Sequence, residues 1–303
     1  MKLATRARSA TGFTLVELLV VLTIILVVLA LSGAAYQKAT DGQRGRTTDD
    51  LMKRLQPALD AEYDSVVKQC ARDKPDNTNT TYQSVLAWCN GDPDRARAVW
   101  TAANLRRQFP QTFAEVKAGT VPVCPGVTFP VLTTFNSLSG LTSSPSNLDF
   151  ESAALLYVIL SKKAAGSSGG FAADDVTNGL QMDLTFVGGT AKAFRDAWGN
   201  PICFHLWWQG AEVQAPPYVD GKATYTDPLD PIGATGMPRV LSWSNATNQQ
   251  FLQNYPYFFT GQNRIATVWS YGRNGKSDNL APGTDDRAGF RLRRLDTSGG
   301  NEP

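Results

Sequence analysis

Gly12-Phe13-Thr14-Leu15-Val16-Glu17-Leu18-Leu19-Val20-Val21 opens a long apolar run near the start of the chain. Between residues 13 and 31, sixteen of nineteen side chains are apolar, the exceptions being Thr14, Glu17 and Thr23. As a helix rising about 1.5 Å per residue, the run measures roughly 28 Å, close to a hydrocarbon core of about 30 Å. Lys2, Arg6 and Arg8 precede it, and no charge occurs from residue 18 to residue 37. A carboxylate near the bilayer centre costs on the order of 3 kcal/mol, so Glu17 requires a reason to be there.

A secretory signal peptide would show an apolar core of about 7–15 residues and then a small-x-small cleavage site. This run is longer and no such site follows. A plain signal anchor would leave Glu17 and the Gly12-Phe13 junction unexplained.

The stretch from Gly12 to Leu19 resembles the leader-cleavage signal of type IV prepilins and pseudopilins. The resemblance implies cleavage after Gly12 by a membrane prepilin peptidase/methyltransferase and N-methylation of the new terminus, Phe13. Glu17 then becomes the fifth mature residue. In an apolar bundle it would neutralise the α-amine of a neighbouring copy, because an unpaired charge is heavily penalised in low dielectric. A subunit out of register would leave both charges unpaired, so the pair would set the axial stagger of a homopolymer.

The resemblance also implies an α+β fold: a long N-terminal transmembrane and stem helix packed on a small antiparallel β-sheet head. The chain then divides into a leader (1–12), a transmembrane helix (13–35) and a stem helix (36–70). A mainly helical insertion (71–190) follows, then the sheet with a C-terminal acidic loop (191–303). The family places such a chain in the cytoplasmic membrane, single-pass and N-in, with its head in the periplasm. Its partners would be further copies of itself and the inner-membrane secretion assembly proteins. The charge pattern is nearly neutral on topology, since Lys38, Arg44 and Arg46 follow the span as the three leader cations precede it.

Formal charge is +2, with 29 basic and 27 acidic side chains. Without the leader the chain is close to neutral, which gives no reason to expect nucleic acid as the main partner unless the chain is a DNA-uptake pilin. Cys70, Cys89, Cys124 and Cys203 include no C-x-x-C. Cys70 and Cys89 flank the polar stretch 72–83, which favours a Cys70–Cys89 disulfide worth roughly 3 kcal/mol; four buried thiols are the alternative.

Beyond Asp49, apolar residues at Leu51, Leu55, Leu59, Tyr63, Val66 and Cys70 keep helical spacing, with Pro57 expected to kink or restart the helix. Asp92-Pro93 opens a helix ending before Pro110, and a shorter one over 111–118 stops at Gly119. The stretch 136–147 reads as a surface loop, 149–163 as a helix and 164–170 as a low-complexity linker. Strands are predicted at 202–208, 239–243 and 265–271, with another at 255–259.

Asp196-Ala197-Trp198-Gly199-Asn200-Pro201 resembles a turn before the sheet of major type II secretion pseudopilins. Ser270-Tyr271-Gly272-Arg273-Asn274-Gly275, followed by Asp285-Asp286, resembles their C-terminal calcium loop. The implied ligands here are Asn274, Asp278, Asp285 and Asp286, with a neutral oxygen donor, Asn274, where those proteins carry an acid. Calcium wants six to eight oxygens at about 2.3–2.6 Å, so losing a charge weakens such a site.

Enzyme chemistry is not expected. Gly272-Arg273-Asn274-Gly275-Lys276-Ser277 has two residues between its glycines where a phosphate loop needs four. Ser65-Val66-Val67-Lys68 falls on the predicted stem without its companion motifs. His205 is the single histidine and has no nucleophile or metal-ligand motif near it in sequence. The closest functional alternatives are a type IV pilin for adhesion, motility or DNA uptake, and a membrane-tethered binding module or enzyme.

Overall fold

The computed structural model describes residues 15–72, 79–143, 148–161, 179–208, 265–276 and 285–289. The chain divides into two compact units between Arg46 and Thr47, and each is taken by itself. Helix α1 is assigned over Leu15–Arg72, as the apolar run and the spacing beyond it predict.

In the first unit, the side chains of α1 from Leu15 to Leu31 stand exposed, and this stretch is long and apolar enough to cross a membrane. Thr23 Oγ1 donates to Val20 O at 2.8 Å, so its hydroxyl proton is satisfied within the helix, as hydrocarbon surroundings demand. Thr40 does the same toward Tyr36 and Gln37 at the polar end.

In the second unit, α1 buries Leu51, Leu55, Leu59, Val66 and Cys70 of the stripe read from the sequence and half-buries Tyr63, while Met52, outside that stripe, is buried with them. Pro57 does not restart the helix, which continues through it. Proline deprives the carbonyl four residues earlier of its amide partner. Here both Pro57 and Lys53 lie on the exposed side, where water can replace that bond.

Helices α2 (Thr80–Trp88), α3 (Pro93–Gln108) and α4 (Phe113–Ala118) follow. Asn79 caps α2 by accepting from Tyr82 N at 3.0 Å. The first turn of α3 carries the predicted proline. Thr112 caps α4, and Gly119 ends it in the left-handed region. Strands β1 (Thr120–Cys124) and β2 (Val127–Pro130) form a hairpin, and a short 3-10 helix spans Thr133–Leu138. Helix α5 (Leu148–Ser161) buries Ala153, Ala154, Leu155, Leu156 and Leu160 almost completely.

Strands β3 (Gln181–Phe186) and β4 (Gly189–Phe194) make a second hairpin around Val187-Gly188. Strands β5 (Ile202–Trp208), β6 (Ile265–Ser270) and β7 (Arg287–Ala288) form an antiparallel sheet with β6 central. Helix α5 packs against both β4 and β5, so one core runs from the stem through the 71–190 segment to the sheet. Segment 71–190 therefore holds, besides its helices, the β1–β2 hairpin and strand β3, whose partner β4 runs on to Phe194, and the sequence reading had placed none of these strands. The strands predicted at 239–243 and 255–259, and the linker at 164–170, lie outside the described residues.

Cys70, Cys89, Cys124 and Cys203 are buried and none is disulfide-bonded, so the favoured Cys70–Cys89 bridge is not formed in the structure. All four sit in the apolar core, where a thiol packs as a small hydrophobe. Burial also pushes the Cys124 thiol above its ordinary value, disfavouring the reactive thiolate.

Candidate functional site

Two places carry the residues singled out in the sequence: the start of α1 and the turn that gathers the C-terminal sheet. At the first, Glu17 lies in the first turn of α1, exposed among Leu15, Val16, Leu18 and Leu19, which are themselves exposed. Gly12 and Phe13 lie outside the described residues. An amphipathic helix of a soluble protein buries one face; here, Glu17 and Thr23 apart, the side chains from Leu15 to Leu31 are apolar and uncovered all round. Such a surface suits lipid or other helices of its own kind.

The second place is built on Asp196, 1% exposed at the end of β4. Its Oδ1 accepts from Trp198 N at 2.9 Å and Asn200 N at 2.8 Å, and its Oδ2 accepts from Ser270 Oγ at 2.6 Å. One carboxylate thus fixes the turn and ties it to the last residue of β6. Asn200 extends the tie, donating from Nδ2 to Gly272 O at 2.6 Å. Gly272, at φ +65°, donates in turn to Ser270 Oγ at 3.1 Å. A Cβ on Gly272 would lie 2.0 Å from Asp285 O, so only glycine lets the two loop ends meet.

The stem helix positions this turn. Thr48 Oγ1 accepts from Ala197 N at 3.1 Å, and Asp49 pairs with Arg287 at 2.5 Å. The Arg287 guanidinium also lies 5.6 Å from the ring centre of Trp198, a cation–π arrangement. Two turns further along α1, Gln56 hydrogen bonds the backbone of β6. Sequence reasoning passed over Thr48, Asp49, Gln56 and Arg287. The signal for Gln56 was present, since it is a polar residue beside the apolar stripe of Leu51, Leu55 and Leu59.

Of the four expected calcium ligands, Asn274 and Asp285 are brought together, Asp286 is buried and Asp278 lies outside the described residues. Asp285 Oδ2 accepts from Asn274 N at 2.6 Å, and Asn274 Oδ1 accepts from Lys276 N at 2.7 Å. These oxygens already serve hydrogen bonds that close the loop. Among the described residues no group of three His, Cys, Asp or Glu side chains is placed to hold a metal. The described donors therefore do not by themselves fit calcium, which needs six to eight oxygens.

His205 stacks on Trp269 with ring centres 5.6 Å apart and planes 12° from parallel, and Trp269 in turn contacts Tyr271. These aromatics build the sheet's packing.

A family model described as the prokaryotic N-terminal methylation motif matches residues 7–33. The match takes in the Gly12-Phe13 junction and Glu17 and supports a type IV prepilin-like chain, processed at its N-terminus and held by a membrane helix. No curated protein and no solved structure matches the chain.

Proposed function

We propose that this chain is a structural subunit of a pilus-like filament, most closely a pseudopilin of a type II protein secretion system. Cleavage after Gly12 frees Phe13 for N-methylation, and the apolar stem then moves from lipid into a bundle of like stems. The observation that carries the reading is an acid, Glu17, set in the first turn of a helix whose apolar side chains are otherwise uncovered from Leu15 to Leu31. In that surrounding the favourable counter-charge is the new α-amine of a neighbouring copy, and pairing the two fixes the axial offset between subunits. The work is mechanical: stems form the filament core and heads meet at its surface, with the head outside the cytoplasmic membrane.

Two measurements test it. Mass spectrometry of the native protein is expected to find methylated Phe13 as the mature terminus. Glu17→Ala is expected to leave membrane insertion intact and abolish filament formation. An unprocessed N-terminus, or normal filaments from the Glu17 variant, would overturn the reading.

A type IV pilin is the second reading, and Asn274 favours it, standing where major pseudopilins carry an acidic calcium ligand. Deleting the chain in its host separates the two. Loss of extracellular enzyme release marks the secretion role, whereas loss of adhesion, motility or DNA uptake marks the pilin.

A further inference from the structure

Beyond its apolar stretch, α1 has two unlike sides. Leu51, Leu55, Leu59, Val66 and Cys70 turn into the head. On the opposite side run Asp50, Arg54, Pro57, Ala61, Asp64 and Lys68, alternately four and three residues apart and all exposed. That alternation keeps them in one straight stripe, the spacing at which two helices laid side by side stay in contact. Pro57 and Ala61 are short, so a second helix can come close at the middle of the stripe.

The charges on the stripe follow a rule. Each acid has a cation four residues on, Arg54 after Asp50 and Lys68 after Asp64, and Arg46, also exposed, stands four residues before Asp50. Residues so spaced can pair within their own helix. Here Asp50 reaches only Lys53, at 3.9 Å, and among the described residues no ion pair involves Arg46, Asp64 or Lys68.

A second copy meets these charges in a defined order. Pairing Glu17 with the α-amine of Phe13 on a neighbouring copy sets residue 13 of one stem level with residue 17 of the other, a shift of about 6 Å. Stems in step would place like charge against like all along the stripe. Shifted by four residues, Arg46, Asp50 and Asp64 of one copy come level with Asp50, Arg54 and Lys68 of the next. Pro57 then lies beside Ala61. Lys68 meets Arg72, which leaves one repulsive pair against three attractive ones. Each exposed pair contributes little alone, but the three act together at every stem-to-stem contact.

We propose that this stripe is the contact between the stems of neighbouring copies, held one helical turn out of step by its own charges. The inference rests on the filament reading above and extends it from the apolar stretch to the head half of α1.

The test uses full-length chains in the host, each with one added cysteine on the stripe; the four native cysteines are buried. Asp64→Cys and Lys68→Cys copies are expressed together, and their filaments are oxidised. Packed helices lie about 8–10 Å apart, so positions at one level come within the ~7 Å that a disulfide bridges, whereas positions a turn apart do not. Cross-linked dimer is expected from the mixture and only traces from either variant alone. Asp64→Lys, whose introduced lysine meets Lys68 of the next copy, is expected to lower filament yield about fivefold, equivalent to ~1 kcal/mol for an exposed pair. As much dimer from Asp64→Cys alone as from the mixture would place the stems in step. No dimer from filaments of normal yield would place the stripe outside the contact. Either result, or wild-type yield from Asp64→Lys, overturns this proposal and leaves the filament reading standing. Absence of filaments from the unmodified chain overturns both.

Discussion

Gln56 on the stem helix completes the hydrogen bonding of β6 at Val268: its Oε1 accepts from Val268 N at 3.0 Å while its Nε2 donates to Ala266 O at 2.8 Å. The side-chain amide takes the place of a neighbouring strand where β7, only two residues long, pairs with Trp269 and Ser270 alone. Both backbone groups are buried, and Gln56 itself is 2% exposed. Gly289 makes room for it, since a Cβ there would fall 2.5 Å from Gln56 Oε1 and 2.7 Å from Val268 Cγ2.

Replacing Gln56 by Met keeps the length of the side chain and removes its amide. Two buried backbone groups are then left unsatisfied, at about 1–3 kcal/mol each. Unfolding of the full-length chain in detergent micelles, followed by tryptophan fluorescence in urea, is expected to show a loss of about 3 kcal/mol. A loss below about 1 kcal/mol would mean that water replaces the amide and that the stem is held by apolar packing alone.

The turn at Asp196 makes a second demand. Its carboxylate receives three hydrogen bonds while almost fully buried. Asp196→Ala strands two backbone amides and a hydroxyl, with an expected cost of about 3–5 kcal/mol. Asp196→Asn retains an acceptor for the amides, and Ser270 Oγ can turn to accept from the new NH2 group, so about half the loss is expected. Equal losses from the two variants, read from the same urea unfolding, would show that the charge and not the geometry holds the turn.

Gly272 is constrained by conformation and by space together. Its φ of +65° costs a non-glycine residue about 1–2 kcal/mol, and the Cβ would meet backbone, Asp285 O, and not the end of a flexible side chain. Gly272→Ala is expected to lower the unfolding midpoint more than Gly119→Ala, which has a similar φ of +67° but nothing within 4 Å of its Cβ. If the two glycines prove equivalent, the loop near Asp285 yields to the added methyl.

The same loop sets an expectation for metal. Asn274 N is bonded to Asp285 Oδ2 and Asn274 Oδ1 to Lys276 N, so these two oxygens are already engaged by the loop's own amides. The thermal midpoint of the full chain is expected to be the same in chelator and in millimolar calcium. A rise with calcium concentration would show that a complete oxygen set forms with Asp278, by the mass-action rule that a ligand binding only the folded state stabilises it.

How far the sequence discloses this molecule depends on the length over which a pattern repeats. The apolar run from residue 13 and the stripe Leu51, Leu55, Leu59, Val66 persist for many turns, so α1 is legible almost to its last residue. Helices α3 and α4 are equally legible because local chemistry marks both ends, Asp92-Pro93 on one and Gly119 on the other. Helix α2 has nine residues within a polar stretch, and its cap, Asn79, is one residue among many similar ones. The β3–β4 hairpin did carry a signal: Met182, Leu184 and Phe186 alternate with polar residues before Val187-Gly188-Gly189. At the candidate site, Asp196 and Asn200 belong to a turn visible in the sequence, whereas the pairing of Asp49 with Arg287 spans the chain and no local pattern foretells it.

The stem helix finally supplies a pH dependence. Burial pushes the Glu62 carboxyl above its ordinary value of 4.5, so the folded chain holds this proton at pH values where the unfolded chain has released it. Stability then falls as pH rises across that window: the contribution is fully present below 4.5 and is lost as pH passes the higher folded value. Glu62→Gln is neutral throughout and removes the slope. Relative to the wild type it is expected to gain stability between about pH 4 and pH 7, by under ~1 kcal/mol because the group remains partly solvated. Urea midpoints of the two full-length chains at both pH values provide the check. If the difference between them stays constant with pH, the Glu62 carboxyl titrates alike in the folded and unfolded chains, and its burial against the head carries no electrostatic cost.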